Sequence, residues 1–314
     1  MSESLSRIAF QLQETAQSIN PRIARVDHTV ALHLATHYGN EFLPEGTWEQ
    51  MYRAVSALHE NNRHEDVIDF FDALSTNLNI SMRSSEYPVY IRLLFTLRDS
   101  RYALDNAKGA QSISSSAVMW AMFDEDGEFT DITQLYDDDL IQELLFEFVR
   151  TLHLIEVDEA EELKALQLAL SRLADPVSLS IAAHRMGKIF FNQEDFSKSF
   201  THAQQSLKFA EEAKDYWEIE KAIRLLSDLF EVAGDPSRQA GILIEGLHKM
   251  PLTTESGFNE HMAVYRLKFR LAELNEGAGQ IANAKSLFLQ AAEHLEMAQE
   301  VESAQELRDR ATQL

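Results

Sequence analysis

Residues able to do chemistry are sparse in this chain of 314 residues, and their spacing narrows what each can do. His33 and His37 lie one helical turn apart, a spacing that places two imidazoles on one metal ion. Leu34 follows His33 where a zinc hydrolase carries glutamate, and no third ligand is in view, so ordinary surface or half-buried histidines are expected. Asp124-Glu125-Asp126-Gly127 looks like the start of a calcium loop. An EF-hand beginning at Asp124 needs glycine and a carboxylate where Phe129 and Leu135 stand, so a solvated acidic turn is expected instead. Ser114 to Ser116 sits in no nucleophile elbow, and neither a phosphate-cradling glycine loop nor Gly-x-Gly-x-x-Gly occurs. No catalytic, cofactor or metal residue is assigned, and a non-enzyme is expected. An enzyme with its site in the irregular middle of the chain is the lowest alternative.

The composition narrows the partners. Fifty-one acidic against 28 basic side chains give a formal charge of -23, which disfavours direct contact with nucleic acid, whose binding depends on clustered Lys and Arg. With no cysteine, disulfides and thiolate zinc sites are excluded outright. The N-terminal MSESLSRIAFQLQETAQ lacks the basic start and continuous apolar run of a signal peptide, and no run of about 18 apolar residues exists. A cytoplasmic protein without membrane contact is expected.

The elements that must position any site read as helices. A hydrophobic fraction of 45% supports a large core, and only 6 Pro and 11 Gly among abundant Leu, Ala, Glu and Gln favour an all-α fold. Leu5, Ile8, Leu12, Ala16 and Ile19 predict a first helix ended by Asn20-Pro21, and Ile23 to Tyr38 predict a second ended by Gly39. Residues Thr47 to Leu78 predict a helical hairpin broken at Asn61-Asn62-Arg63. Tyr87 to Ala107 reads as another helical pair, and Ser112 to Ser116 as a loop. Val118 to Phe123 and Glu128 to Ile132 fit either a β-hairpin with an Asp-Gly turn or a short helix and a loop. The loop is preferred, because an isolated two-stranded hairpin is marginal. Asp137 to Asp139 predict the acidic start of a helix through Leu154, followed by a partner from Glu159 to Leu173.

After Pro176 three helical hairpins follow, Ser180 to Ala213, Tyr216 to Lys249 and Glu260 to Gln299, with an extension through Leu314. The last carries Leu271-Ala272, the turn glycine Gly279, and Ala284, Phe288 and Ala291: small residues let two helices approach, and bulky ones fill the space beside them. This pattern resembles the tetratricopeptide repeat. The first hairpin matches through Met186-Gly187, Phe190, Ala203 and Leu207, with Ser199 in place of alanine; the second matches through Leu226-Ser227, Phe230, Gly234 and Ala240. Spacings of about 40 and 45 residues between Gly187, Ser227 and Ala272 exceed the roughly 34 of the standard repeat.

The resemblance implies an all-α, tetratricopeptide-like solenoid of antiparallel hairpins, with a short irregular or β-hairpin insertion near 112-135. Three regions are expected: N-terminal hairpins over 1-78, an irregular segment over 79-135, and a repeat array with a capping helix over 136-314. It further implies that the first helix of each pair lines a groove. That places His184, Lys188, Asn192, Arg224, Asp228, Arg266, Phe269 and Glu273 toward a bound protein or peptide, with Lys188, Arg224 and Arg266 as a basic line suited to carboxylates. Solvated helix faces and ion pairs between repeats account for the same residues more plainly. The implied function is a non-catalytic adaptor or scaffold, with a peptide-responsive regulator acting on a protein target as the alternative. The apolar stripe from Leu287 to Leu314 is read as an end cap, or as a surface for homodimerisation.

Overall fold

The computed structural model describes residues 47–75 and 84–314. The two helices expected before Gly39, with His33 and His37, lie outside the described residues. Among those described, the regular elements are helices, and a single isolated antiparallel bridge joins Phe123 and Phe129. The all-α expectation is met. The chain divides into two compact units, residues 1–165 and 166–314, with the division falling inside one helix, Glu159–Arg172.

In the first unit, α1 (Thr47–Glu60) and α2 (His64–Ser75) form the expected hairpin. Asn62 turns the chain in the left-handed region at φ 58, where asparagine is among the better-tolerated residues. Met51, Ala54, Val55, Leu58, Val67 and Phe70 are fully buried, as the 3–4 spacing of the apolar residues requires. α3 (Tyr87–Ala103) is one helix rather than the expected pair, and its partner is α4 (Ala107–Met122), which contains the serine run read as a loop. The reason is local. Asn106 caps α4 by accepting from the Gly109 backbone N–H at 2.9 Å, and the Ser115 and Ser116 hydroxyls both donate back to the Ser112 carbonyl. Ala110, Ser114, Ala117, Val118 and Ala121 then give a narrow buried face that lies against α3 and α5.

The ambiguous stretch after α4 is neither a full hairpin nor an open loop. Helix persists to Met122, and the Asp124 carboxylate accepts from the backbone of Asp126 and Glu128 at 3.0 and 2.9 Å while Gly127 takes φ 80. The one bridge closes this turn. Asp137 then caps α5 (Asp138–Thr151) by accepting from Leu140, a 3-10 turn continues through Leu154, and α6 (Glu159–Arg172) follows.

The second unit holds α7 (Pro176–Asn192), α8 (Phe196–Ala213), α9 (Tyr216–Val232), α10 (Pro236–Lys249), α11 (Phe258–Gly277), α12 (Ile281–Met297) and α13 (Val301–Gln313). Its cadence comes from the turns. Asp175, Asp195, Asp215 and Asp235 each accept a hydrogen bond from the backbone N–H three residues on, so four successive helices start at one fixed interval. Glu194, Lys214 and Gly234 sit at positive φ immediately before the last three of these aspartates, and Gly279 and Gln299 repeat the device further on. The stretch from Met250 to Gly257, inserted before α11, and the 20-residue length of α11 itself break the interval.

From α7 to α13 each helix packs on the next, and α9 also touches both α7 and α11. Close approach is built in at two glycines. A methyl group at Gly187 would meet Leu225 at 2.8 Å, and one at Gly246 would meet both Leu267 and Ile223 at 2.8 to 3.0 Å. Ser199, standing where the resemblance calls for alanine, is buried and donates to the Gly187 carbonyl at 2.8 Å. Ala222, Ile223, Leu243, Ala263 and Leu267 are fully buried in the core between α9, α10 and α11. In the terminal stripe, Ala304, Leu307 and Ala311 are buried with Phe288 and Ala292, and Val301 is exposed.

Candidate functional site

α9 and α11 supply most of the side chains around a cavity of about 1210 Å³ in the second unit. Arg224 and Glu231 come from α9, Pro236 and Gln239 from the start of α10. Along α11, Met262, Tyr265, Arg266, Phe269, Arg270, Glu273 and Leu274 recur at steps of three and four residues, so one face of that helix forms a wall. The mixture of guanidinium, carboxylate, phenol and phenyl groups suits a ligand held by ionic and aromatic contacts together.

Below Arg224 and Arg266 sits Glu220, a carboxylate with no solvent exposure. Arg224 Nε lies 3.3 Å and Arg266 Nη1 3.6 Å from it, and neither of its oxygens is in hydrogen-bond geometry. Burial pushes its pKa up, and Arg224, Arg266 and Lys221 pull against that. Arg266 also lies over Trp217, its guanidinium carbon 4.2 Å from the ring centroid. One helical turn along, Arg270 pairs with Asp228 and, at 3.0 Å, with Glu231. At the far end Arg310 reaches back from α13 to Glu273 at 3.3 Å and Glu276 at 2.8 Å, and stacks over Phe288 at 4.4 Å and Phe269 at 5.4 Å.

The residues singled out in the sequence therefore separate into two sets. Arg224, Arg266, Phe269 and Glu273 line the cavity. Asp228 stands behind the wall, joined to Arg270. His184, Lys188 and Asn192, all on α7, are not among the lining residues. His184 has its Nδ1 buried without a hydrogen-bond partner, and burial, reinforced by Lys221, Lys188 and Arg224, takes its pKa down to about 3, so the ring is neutral. Lys188 places its ammonium 5.6 Å from the Phe191 ring, and Asn192 ends α7 in an exposed position. The line of Lys188, Arg224 and Arg266 is thus a pair of guanidiniums on one buried carboxylate, with the lysine elsewhere.

Sequence reasoning missed Met262, Tyr265, Arg270 and Glu220. The first three were within reach, because stepping three or four residues in both directions from Arg266, Phe269 and Glu273 finds them. Glu220 was not, since a glutamate on a helix ordinarily reads as solvated.

In the first unit, His59 Nδ1 and Ser100 Oγ lie 2.9 Å apart, a distance typical of a nucleophile and its base. Ser100 is fully buried on α3, which keeps substrate from it. The Asp124 turn spends its carboxylate on backbone N–H groups. Among the described residues no group of three or more His, Asp or Glu side chains is placed to hold a metal ion, and no helix is long and apolar enough to cross a membrane.

No family model and no curated protein sequence matches the chain. Among solved structures, the crystal structure of BtubC (BKLC) from P. vanneervenii is similar with a TM-score of 0.42 and 13% identity, covering 84% of this chain and 92% of that one. A likeness at that level carries neither fold nor function across.

Proposed function

We propose that this chain is a non-catalytic, cytoplasmic adaptor of tetratricopeptide-like build, which binds a protein or peptide segment in the groove along α11. The observation that carries this reading is the α9–α11 cavity, large enough for several side chains and lined by three arginines, two glutamates and an aromatic pair. Support for the solenoid comes from the fixed interval of the helix starts and from α9 packing on both α7 and α11. A groove of this kind binds extended or helical segments by a few anchoring side chains, with Arg and aromatic residues carrying most of the affinity.

The test is to isolate the bound partner with the intact chain and measure its affinity for Arg224→Glu and Phe269→Ala. A loss of tenfold or more, typical of anchor positions, is expected for each. Unchanged affinity in both variants contradicts the groove.

A second reading, a peptide-responsive regulator, is favoured by Arg310. This residue of the terminal helix rests on Phe269 and Glu273, so a segment seated there meets α13 directly. Small-angle scattering with and without the isolated partner decides it: a change in the radius of gyration supports the regulator, and superimposable profiles leave the adaptor.

A further inference from the structure

The charge left over along the groove identifies the kind of segment that fits it. Each ionic cluster on the α11 wall is unbalanced, and the imbalance changes sign from one end to the other. At Arg266 two guanidiniums, Arg224 and Arg266, share the single carboxylate of Glu220, which leaves one positive charge in excess. One turn further, Arg270 faces two carboxylates, Asp228 and Glu231, leaving one negative charge. At the end, Arg310 faces Glu273 and Glu276, again leaving one negative charge. The groups carrying these excesses reach solvent: the side chains of Arg224, Glu231 and Glu273 are 44%, 63% and 46% exposed. Glu220 itself is sealed, so no ligand reaches it, and its role is to hold the two guanidiniums in place.

From Arg266 to Glu273 the axis of α11 advances about 10 Å at 1.5 Å per residue. About three residues of extended chain span that distance. Phe269 lies between the two ends and Tyr265 beside Arg266, a pair of rings on which an apolar side chain of the ligand would pack.

We infer that the groove selects a dipolar peptide segment: an acidic side chain at Arg224 and Arg266, an apolar side chain over Tyr265 and Phe269, and a basic side chain at Glu273, with the charged residues about three positions apart. This inference rests on the groove reading and goes beyond it by fixing the charge order of the occupant. A uniformly acidic segment meets like charge at Glu231 and Glu273, and a uniformly basic one meets it at Arg224 and Arg266. The protein's overall charge of -23 draws basic segments toward it in general, so the requirement for an acid at one end is local and separable from steering.

Three blocked hexapeptides test it by saturation-transfer NMR against the intact chain: Ala-Glu-Leu-Leu-Lys-Ala, Ala-Lys-Leu-Leu-Lys-Ala and Ala-Glu-Leu-Leu-Glu-Ala. The mixed peptide is expected to bind about tenfold more tightly than either uniform one, the scale of misplacing one charge in a complementary site. Glu273→Lys shifts the preference to the doubly acidic peptide. Arg224→Gln, a mild change at an exposed position, removes the discrimination against the doubly basic one. Circular dichroism melts of both variants confirm that they are folded. Binding of all three peptides with equal affinity, or a preference unchanged in Glu273→Lys, overturns the charge order while leaving the groove standing. No binding by any of the three overturns both.

Discussion

Each unit buries an ionic cluster, and the two are built in opposite ways. In the first, Arg98 is the sealed member, its side chain 9% exposed, and three carboxylates surround it: Asp99 and Glu143 at 2.8 Å and Glu147 at 3.4 Å. In the second, the carboxylate of Glu220 is sealed and two arginines stand off at 3.3 and 3.6 Å, with their outer faces toward a cavity. Arg98 donates Nε to Asp99 and Nη2 to Glu143, and its Nη1, without a hydrogen-bond partner, is itself buried, so no donor of this guanidinium is presented to a ligand. A buried carboxylate at a looser distance leaves most guanidinium N–H groups open to something else. The same residue types thus close one region and leave the other open toward a cavity.

The comparison breaks most easily at Arg98. Arg98→Ala leaves Glu147, itself 3% exposed, without its buried counter-ion, and a loss of about 3–5 kcal/mol in urea unfolding is expected. A cost under 1 kcal/mol would place Arg98 on the surface in solution. Gly246→Ala comes next. Its new methyl group presses on Ile223 and Leu267, the neighbours of Glu220 and Arg266 on α9 and α11, so a loss of about 1–3 kcal/mol together with weakened partner binding is expected.

Two titrations sharpen the contrast further. His184 has its folded pKa depressed to about 3 from 6.5, so the neutral ring contributes stability that is complete above pH 6.5 and is lost as pH falls toward 3. His184→Leu is expected to flatten the melting temperature between pH 7 and pH 5, a difference on the order of 1 kcal/mol. Glu220 has the opposite sign. Its folded pKa is raised above 4.5, so the protonated form contributes stability that is present below pH 4.5 and is lost as pH rises through the folded pKa. Because burial outweighs the opposing pull of Arg224, Arg266 and Lys221, Glu220→Gln is expected to cost no stability at pH 7, with the gain over the parent growing from about pH 4 upward. A large loss at pH 7 would mean that Glu220 carries the cluster as Arg98 does.

Much of the fold was legible in the residues because its devices are local. The apolar spacing of Met51 to Phe70 and the Asn61-Asn62 break set α1 and α2. The recurrent aspartates Asp175, Asp195, Asp215 and Asp235 were legible as well, and they set the spacing of about 40 residues between Gly187 and Ser227: each cap is followed by a helix of about four to five turns. The longer spacing from Ser227 to Ala272 comes from the Met250–Gly257 stretch together with the position of Ala272 further along the 20-residue α11. What misled was propensity taken alone. Ser112 to Ser116 reads as a loop until its hydroxyls are seen bonding within the helix and Ser114 and Ala117 are seen facing α3 and α5.

Half of the residues singled out in the sequence, four of eight, line the candidate cavity. Arg224, Arg266, Phe269 and Glu273 follow from which face of a first helix is free, a local property. Lys188 and Asn192 share that periodicity, yet the cavity lies between α9 and α11, and which pair of helices leaves a hollow depends on packing that spacing does not encode. Glu220 and Arg310 depend on contacts across 46 and 37 residues of chain, to Arg266 and Glu273, and no helical period reports those.

The most direct measurement is photo-crosslinking from benzoylphenylalanine placed at Tyr265 in the groove and, as the contrast, at Trp120, an exposed aromatic of the first unit packed on Tyr87 at 4.7 Å. A partner crosslinking from position 265 and released by Arg224→Glu is the predicted result. The same partner crosslinking from position 120 with equal yield in the parent and in Arg224→Glu would contradict the assignment of binding to the groove along α11.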